Sequence, residues 1–480
     1  MVGPRNTFSD SPGRGLLRAT GRPEADDPRG EMVMMRRWTT ILIGVAVLAI
    51  GAALALRALQ ADPEWSSTSE SALAAFEQGL DAEKQLYHNE AREHFARALE
   101  LDPSFAMARF KVLILSGDKA TRVARLKELV SQTDLESLSE RERFLILYRL
   151  AVLERNQERA GELLADYLAK APDDVSALVI SCDRSFFQGK LEAASECYER
   201  VLEIDPEWVV AQNQLGYISM GKGDFAAAER FFTAYLGTAP DQANPHDSLG
   251  ELYLLTGRYA DARREFESAI SIRPDFCASL GHLTDLSLLE GDVEDASMNL
   301  ERAQETVCPP EFIAAQKCRV AIWREIERGD FAAAVERSAS PECVEEDQGF
   351  LTRAGTHRAA MLSGQLEAAS QMESRLRTVV ETYPDAWLSR AMLEHYQAMR
   401  LVQQGRPNEA IPLLQKADAR LRYDGNAVGL LKLYNRLTLA HAFEIVGKGT
   451  EAEAIREEVR AINSPFVDQF TKLSLFEPAA

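Results

Sequence analysis

"SLGELYLLTGRYADARREFESAISIRP" fills residues 248–274, and residues 214–240 read "QLGYISMGKGDFAAAERFFTAYLGTAP", the same pattern 34 positions earlier. In both stretches a Leu-Gly pair comes first (Leu215 and Gly216; Leu249 and Gly250) and a turn glycine follows (Gly223; Gly257). An aromatic, an alanine, a phenylalanine and a proline complete each copy: Phe225, Ala228, Phe232 and Pro240, then Tyr259, Ala262, Phe266 and Pro274. The order is helix, turn, helix, stop. Glycine gives the first helix the backbone freedom its C-terminus needs, and proline ends the second because it cannot continue the hydrogen-bond ladder. Small Gly250 and Ala262 let the paired helices approach, and Phe266 fills the gap beside them.

Laid along the rest of the chain, the same ruler finds Pro172, Pro206, Pro240 and Pro274 at intervals of 34 residues. A further copy upstream has Gly79, Ala91, Phe95, Ala98 and Pro103, and weaker copies downstream centre on Gly291, Gly329, Gly364, Gly405 and Gly447. Residues 104–140 are degenerate and read as an irregular helical pair. This order and spacing resemble the tetratricopeptide repeat. The resemblance implies an all-α fold, a right-handed superhelical solenoid of about eleven helix pairs over residues 71–465, with a C-terminal tail at 466–480. No single pair can bury its apolar face alone, so the pairs must stack. A composition 46% hydrophobic and 27% charged, rich in Ala, Leu, Glu and Arg, suits helices throughout.

Ahead of the repeats, "RRWTTILIGVAVLAIGAALALR" holds an uncharged run over residues 38–56. At about 1.5 Å per residue it nearly spans a roughly 30 Å hydrocarbon core. One transmembrane helix is expected at 36–58, after a disordered cytoplasmic tail over 1–35 and before a linker over 59–70. Arg36 and Arg37 precede the run, whereas Asp62, Glu64 and Glu70 follow it, which orients the N-terminus to the cytoplasm and the repeats to the far side of an inner membrane. The alternative is a cleaved signal peptide with a cut after Ala61, giving a soluble exported protein.

The six cysteines all lie in the repeats: Cys182, Cys197, Cys277, Cys308, Cys318 and Cys343. In the repeat register each consecutive pair occupies complementary positions of one helical hairpin. Three hairpin disulfides are one reading, in keeping with an extracytoplasmic compartment. Small buried thiols at helix interfaces are the other.

No catalytic constellation is present. "GYISMGK" imitates a phosphate-binding loop, but Gly223 stands where a Ser or Thr should bind magnesium, and a repeat helix precedes it where a strand is required. His88 and His94 are six residues apart and do not share a helical face, and HExxH, GxSxG, paired CxxC and EF-hand patterns are absent. No catalytic residue, metal site or cofactor is expected, and the chain is read as a non-enzyme. Residues 61–480 carry 46 Lys and Arg against 69 Asp and Glu, which argues against nucleic-acid partners.

The resemblance implies a concave surface lined by the first helix of each unit. Its inward positions carry Asn213, Tyr217, Asn244, Asp247, Glu251 and Asp285, with Phe186 and Phe187 nearby. These would suit an extended peptide with basic or polar side chains. The basic residues of the family's two-carboxylate clamp are missing from these positions.

"ALELDPSFAMARFKVLILSG" and "LESLSERERFLILYRLAVLERNQERAGELLADYLAKAPDD" are also similar to repeat regions that follow a transmembrane helix in some bacterial serine/threonine kinases and winged-helix regulators. The likeness is carried by "LSERER" at Leu138–Arg143 and "APDD" at Ala171–Asp174 and covers roughly residues 71–310. Residues 1–37 hold no glycine-rich loop, HRD or DFG element, so no kinase activity carries over. The function expected is a membrane-anchored scaffold that binds a protein or peptide. The alternatives are the soluble exported form and, from another class, an enzyme with an unfamiliar helical site.

Overall fold

The computed structural model describes residues 65–84, 87–116, 121–306, 308–344, 350–383, 385–423 and 425–472. The tail expected over 1–35 and the membrane helix expected over 36–58 lie outside the described residues. Among the described residues no strand occurs, and no helix is long and apolar enough to cross a membrane.

The described residues form eleven helical hairpins, one short helix and a 3-10 turn at Leu135–Ser137. Hairpins on the N-terminal side are α1 (Glu70–Lys84) with α2 (His88–Leu101), α3 (Ala106–Leu115) with α4 (Arg122–Gln132), and α5 (Glu140–Leu153) with α6 (Gln157–Lys170). Then come α7 (Val175–Phe187) with α8 (Leu191–Ile204), α9 (Val209–Gly221) with α10 (Phe225–Thr238), and α11 (Ala243–Leu255) with α12 (Tyr259–Ile272). The C-terminal half holds α13 (Cys277–Glu290) with α14 (Val293–Glu305), α15 (Pro310–Glu327) with α16 (Phe331–Ser338), and the short α17 (Pro341–Val344). It closes with α18 (Phe350–Leu362) and α19 (Leu366–Thr382), α20 (Trp387–Gln403) and α21 (Pro407–Arg420), and α22 (Asn426–Ile445) and α23 (Gly449–Lys472).

Local chemistry explains the hairpins. The turn glycines Gly189, Gly223, Gly257, Gly291, Gly329, Gly364, Gly405 and Gly447 all have φ between 70° and 81°, the left-handed region that ends the first helix of each unit. Arg155, at the equivalent place one period before Gly189, adopts φ 60° without being glycine. Asp174, Asp224, Asp292 and Asp330 each accept a hydrogen bond from the backbone two or three residues into the helix they open. Ser139 and Glu142 form a reciprocal capping box at the start of α5. A Cβ added at Gly79, Gly216 or Gly250 would lie only 2.5, 2.3 or 2.4 Å from the ring of Phe95, Phe232 or Phe266. The helices of those hairpins therefore touch closely enough to admit only glycine.

Three disulfides, Cys182–Cys197, Cys277–Cys308 and Cys318–Cys343, join consecutive cysteines at Cα separations of 5.3, 5.8 and 5.5 Å, and no cysteine is free.

Two expected boundaries need correction. Residues 65–69 are not a loose linker: Trp65 is buried, meets Phe76 edge-on at 4.9 Å and lies under the Arg141 guanidinium. Residues 466–472 are not a tail either. They continue α23, with Phe466 and Val467 buried, because the helix bends at Asn463 (φ −148°) and turns an apolar face inward.

That bend closes the solenoid. The side chain of Asn463 donates to the carbonyl oxygens of Leu254 (3.1 Å) and Leu255 (3.0 Å), across more than 200 residues of sequence, and also meets the Tyr259 hydroxyl. Gly429 of α22 lies against Leu255, and Tyr423 meets Phe225 edge-on at 5.4 Å. One apolar cluster accordingly contains Leu249, Leu255 and Tyr259 together with Leu430, Tyr434 and Phe466. From the other end, Arg273 pairs with Glu90 at 2.6 Å and stacks on Tyr87, and Lys84 lies over Trp208. First and last hairpins both fold back onto the middle of the array.

Candidate functional site

The first helices of successive units stand side by side, so residues about one repeat apart face each other. Along α9, α11, α13 and α15 this spacing builds a ladder of polar contacts. Tyr217 donates to Glu251 Oε1 (2.7 Å) and lies 3.3 Å from Ser248, whose hydroxyl donates to Asn213 Oδ1 (2.9 Å). Ser279 donates to Asp247 Oδ1 (2.5 Å), and His282 Nδ1 meets the same oxygen at 3.0 Å. Arg319 closes the ladder on Asp285 at 2.5 Å.

Charge in the ladder is compensated from within. Burial alone would lower the His282 pKa, but the carboxylates of Asp247 and Glu251 outweigh it and push it up to about 9. His282 is therefore imidazolium at neutral pH, with both ring nitrogens as donors. Glu251 is raised above the usual carboxylate range, chiefly by burial and further by Asp247, while His282 pulls the other way. Tyr217 is held well above its ordinary value by burial and by the same two carboxylates.

These placements correct the expected acid-lined trough. Asn213, Tyr217, Asp247, Glu251 and Asp285 come together as foreseen, but they satisfy one another instead of presenting free groups. Asp247 is buried, and the backbone N–H of Asn426 at the start of α22 donates to Glu251 Oε2 (3.2 Å), so the chain's own C-terminal half covers this stretch. Asn244 belongs to a different contact: it is buried and donates to the Tyr235 hydroxyl (3.1 Å). His282 and Arg319 were not foreseen as members, although each lies about one period beyond an acidic partner.

One atom each from Asp247, Glu251 and His282 lies within 4.8 Å of the others, close enough to hold a metal ion. The donor set fits poorly. The histidine is held as a cation by the two carboxylates, and Ser279, Tyr217 and Asn426 already occupy their oxygens. The arrangement does the work of a buried ion pair.

Phe186 and Phe187 lie elsewhere. They meet edge-on at 5.6 Å, and Phe187 is 76% exposed at the rim of a cavity of about 1240 Å³ between α5–α7 and α20–α21. Arg149, Arg184, Lys190, Arg390, Arg420 and Arg422 line this cavity, against two acidic residues, Asp183 and Asp385. Arg422 is stacked 4.6 Å from the Trp387 ring and 5.9 Å from Phe186. Asp183 accepts from Tyr198, and burial raises its pKa. The sequence reading missed every one of these cations, because the two walls are separated by about 200 residues of chain.

The helical hairpins, the left-handed glycine between their members and the glycine–phenylalanine contact build an all-helical, tetratricopeptide-like solenoid. The family model described as "Tetratricopeptide repeat" matches residues 186–207 and 245–276, which cover parts of the α7–α8 and α11–α12 hairpins. Among curated proteins, the chain is similar to Protein O-mannosyl-transferase TMTC3 of Homo sapiens, 27% identical over 180 residues, 30% of this chain and 20% of that protein. The chain thus spans about a fifth of the length of the curated relative it matches. Among solved structures it is similar to the APC/C hetero-tetramer Cut9–Hcn1 (TM-score 0.46, 14% identity, 89% of this chain and 81% of that one). It is also similar to a tetratricopeptide repeat protein from Parabacteroides merdae (TM-score 0.36, 16% identity, 60% of this chain and 98% of that one). A third is PilW, a type IV pilus biogenesis factor (TM-score 0.35, 18% identity, 41% of this chain and 94% of that one).

Proposed function

We propose that this chain is a membrane-anchored tetratricopeptide scaffold that holds a protein or peptide partner on the extracytoplasmic side of an inner membrane. The observation that carries the reading is the state of the cysteines. All six are joined in three local bridges, each inside one hairpin or to the segment that follows it, and such bridges persist in oxidising compartments and are rare in a reducing cytosol. The uncharged run over 38–56, behind Arg36 and Arg37, supplies an anchor of matching orientation. The resemblance to repeat regions that follow a membrane helix in bacterial kinases and winged-helix regulators favours the same placement.

The reading is of a binding protein and not an enzyme. Stacked repeats offer an extended surface, and the titratable groups with the most perturbed environment, around Glu251 and His282, are engaged with one another. The transferase name of the curated relative belongs to a protein of which this chain spans a fifth.

One experiment tests anchor, side and binding together. Intact producing cells are treated with a membrane-impermeant amine crosslinker, and the protein is then purified from the membrane fraction. A discrete crosslinked partner is expected. Crosslinks formed only by a membrane-permeant reagent would place the repeats in the cytoplasm and end the proposal, and recovery in the soluble fraction would favour the exported form.

A further inference from the structure

The chain carries a formal net charge of −20, yet six of the eight charged side chains lining the large cavity are cationic, with Arg420 paired to Glu394 (3.1 Å) just outside it. Gathering like charges at one place is unfavourable unless something of opposite sign settles there. Arg149 Nε and Arg184 Nη1 are buried with no hydrogen-bond acceptor among the described residues, and Arg184 Nη2 reaches the Gln157 carbonyl at 2.9 Å. Burial, with Arg122 nearby, lowers the Arg149 pKa, and Tyr148 and Glu83 only partly offset it. Arg422 lies over the Trp387 ring, which orients its guanidinium. Exposed Phe187 and the ring of Trp387 add apolar surface to the same walls.

From this geometry we infer that the cavity between α5–α7 and α20–α21 docks an acidic peptide segment of the partner, its carboxylates on the cationic lining and its apolar side chains against Phe187 and Trp387. The inference rests on the scaffold reading and names its binding site and ligand class. A volume of about 1240 Å³ exceeds the roughly 300–1,000 Å³ of most small-molecule pockets, so an extended segment fits it better than a metabolite. A long polyanion such as nucleic acid would meet the strongly acidic remainder of the molecule. The site is not a groove of consecutive first helices. One wall is supplied by residues 148–190 and the other by residues 385–422, so it exists only because the solenoid closes on itself.

Isothermal titration calorimetry on the full-length protein in detergent tests this with an unlabelled dodecapeptide, four repeats of Asp-Glu-Leu. Binding is expected that weakens as salt is raised, with none for four repeats of Lys-Arg-Leu. Lys190→Glu with Arg390→Glu should weaken it about tenfold or more, whereas Lys317→Glu with Lys416→Glu, the same change of net charge at exposed positions elsewhere, should leave it within about twofold. Phe187→Ser, at a position too exposed to matter for folding, should weaken it about threefold or more. Failure of the acidic peptide to bind, equal loss in the control pair, wild-type affinity in both cavity variants, or equal binding of a single-stranded oligonucleotide would each overturn the assignment. A partner crosslinked in cells through another face, with the acidic peptide unbound, would overturn this inference and leave the scaffold reading standing.

Discussion

Gly257 and Gly329 share a backbone conformation, φ 73° and 74°, but not a neighbourhood. A Cβ at Gly329 meets nothing within 4 Å, whereas one at Gly257 would lie 2.8 Å from Asn463 Oδ1 and 3.1 Å from Pro465. Gly329→Ala therefore costs only backbone strain, about 1–2 kcal/mol. Gly257→Ala should cost roughly 2–4 kcal/mol, because it also wedges the bend of α23 off its seat. Denaturant unfolding of the two variants checks the difference, and equal losses would mean that the bend carries no stability. His282 gives a second test at this scale. Its folded pKa, about 9, stands above the unfolded value of 6.5, so its contribution is complete below pH 6.5 and is lost as pH rises through 9. Asp247, Glu251 and Asp285 are the charges that hold it there. Between those pH values the wild type should lose up to roughly 3 kcal/mol relative to His282→Gln, read from paired melts at pH 6 and pH 10. Parallel curves for the two proteins would show that the ladder does not hold an imidazolium.

Hairpins are the scale at which sequence and structure agree most closely. The period, the turn glycine and the Gly–Phe contact are all local signals, and each appears where the repeat register puts it. The cysteines are local as well, since every bridge lies inside one hairpin or its immediate neighbourhood. Cys182–Cys197 spans a sequence separation of 15 residues, for which chain entropy assigns about 3 kcal/mol. Solenoids unfold unit by unit, so the effect belongs to the hairpin and not to the global melt. Replacing Cys182 and Cys197 together by Ser should speed amide exchange in α7 and α8 and leave α22 unchanged. Uniform acceleration along the chain would show instead that the repeats unfold as one body.

Closure of the whole array was not legible in the sequence. Asn463 meets Leu254 across 209 residues, and nothing near either position announces the contact. The same is true of the cavity: an exposed phenylalanine on α7 and arginines at the end of α21 carry no meaning until they face each other. Of the inward positions named from the repeat, all but Asn244 gather along one ladder, as their spacing demands. Their role differs because a half-open solenoid would expose them, while this one folds its last hairpin over them. Acidic groups in the ladder are thus part of the architecture, and the surface left for recognition is the basic cavity. The most direct test is hydrogen exchange of the full-length protein with and without the Asp-Glu-Leu dodecapeptide. Protection is expected in the segments around residues 148–157, 183–190, 385–390 and 419–422, with no change over α9 and α11. Protection confined to residues 209–221 and 243–255 would contradict the account and return binding to the ladder.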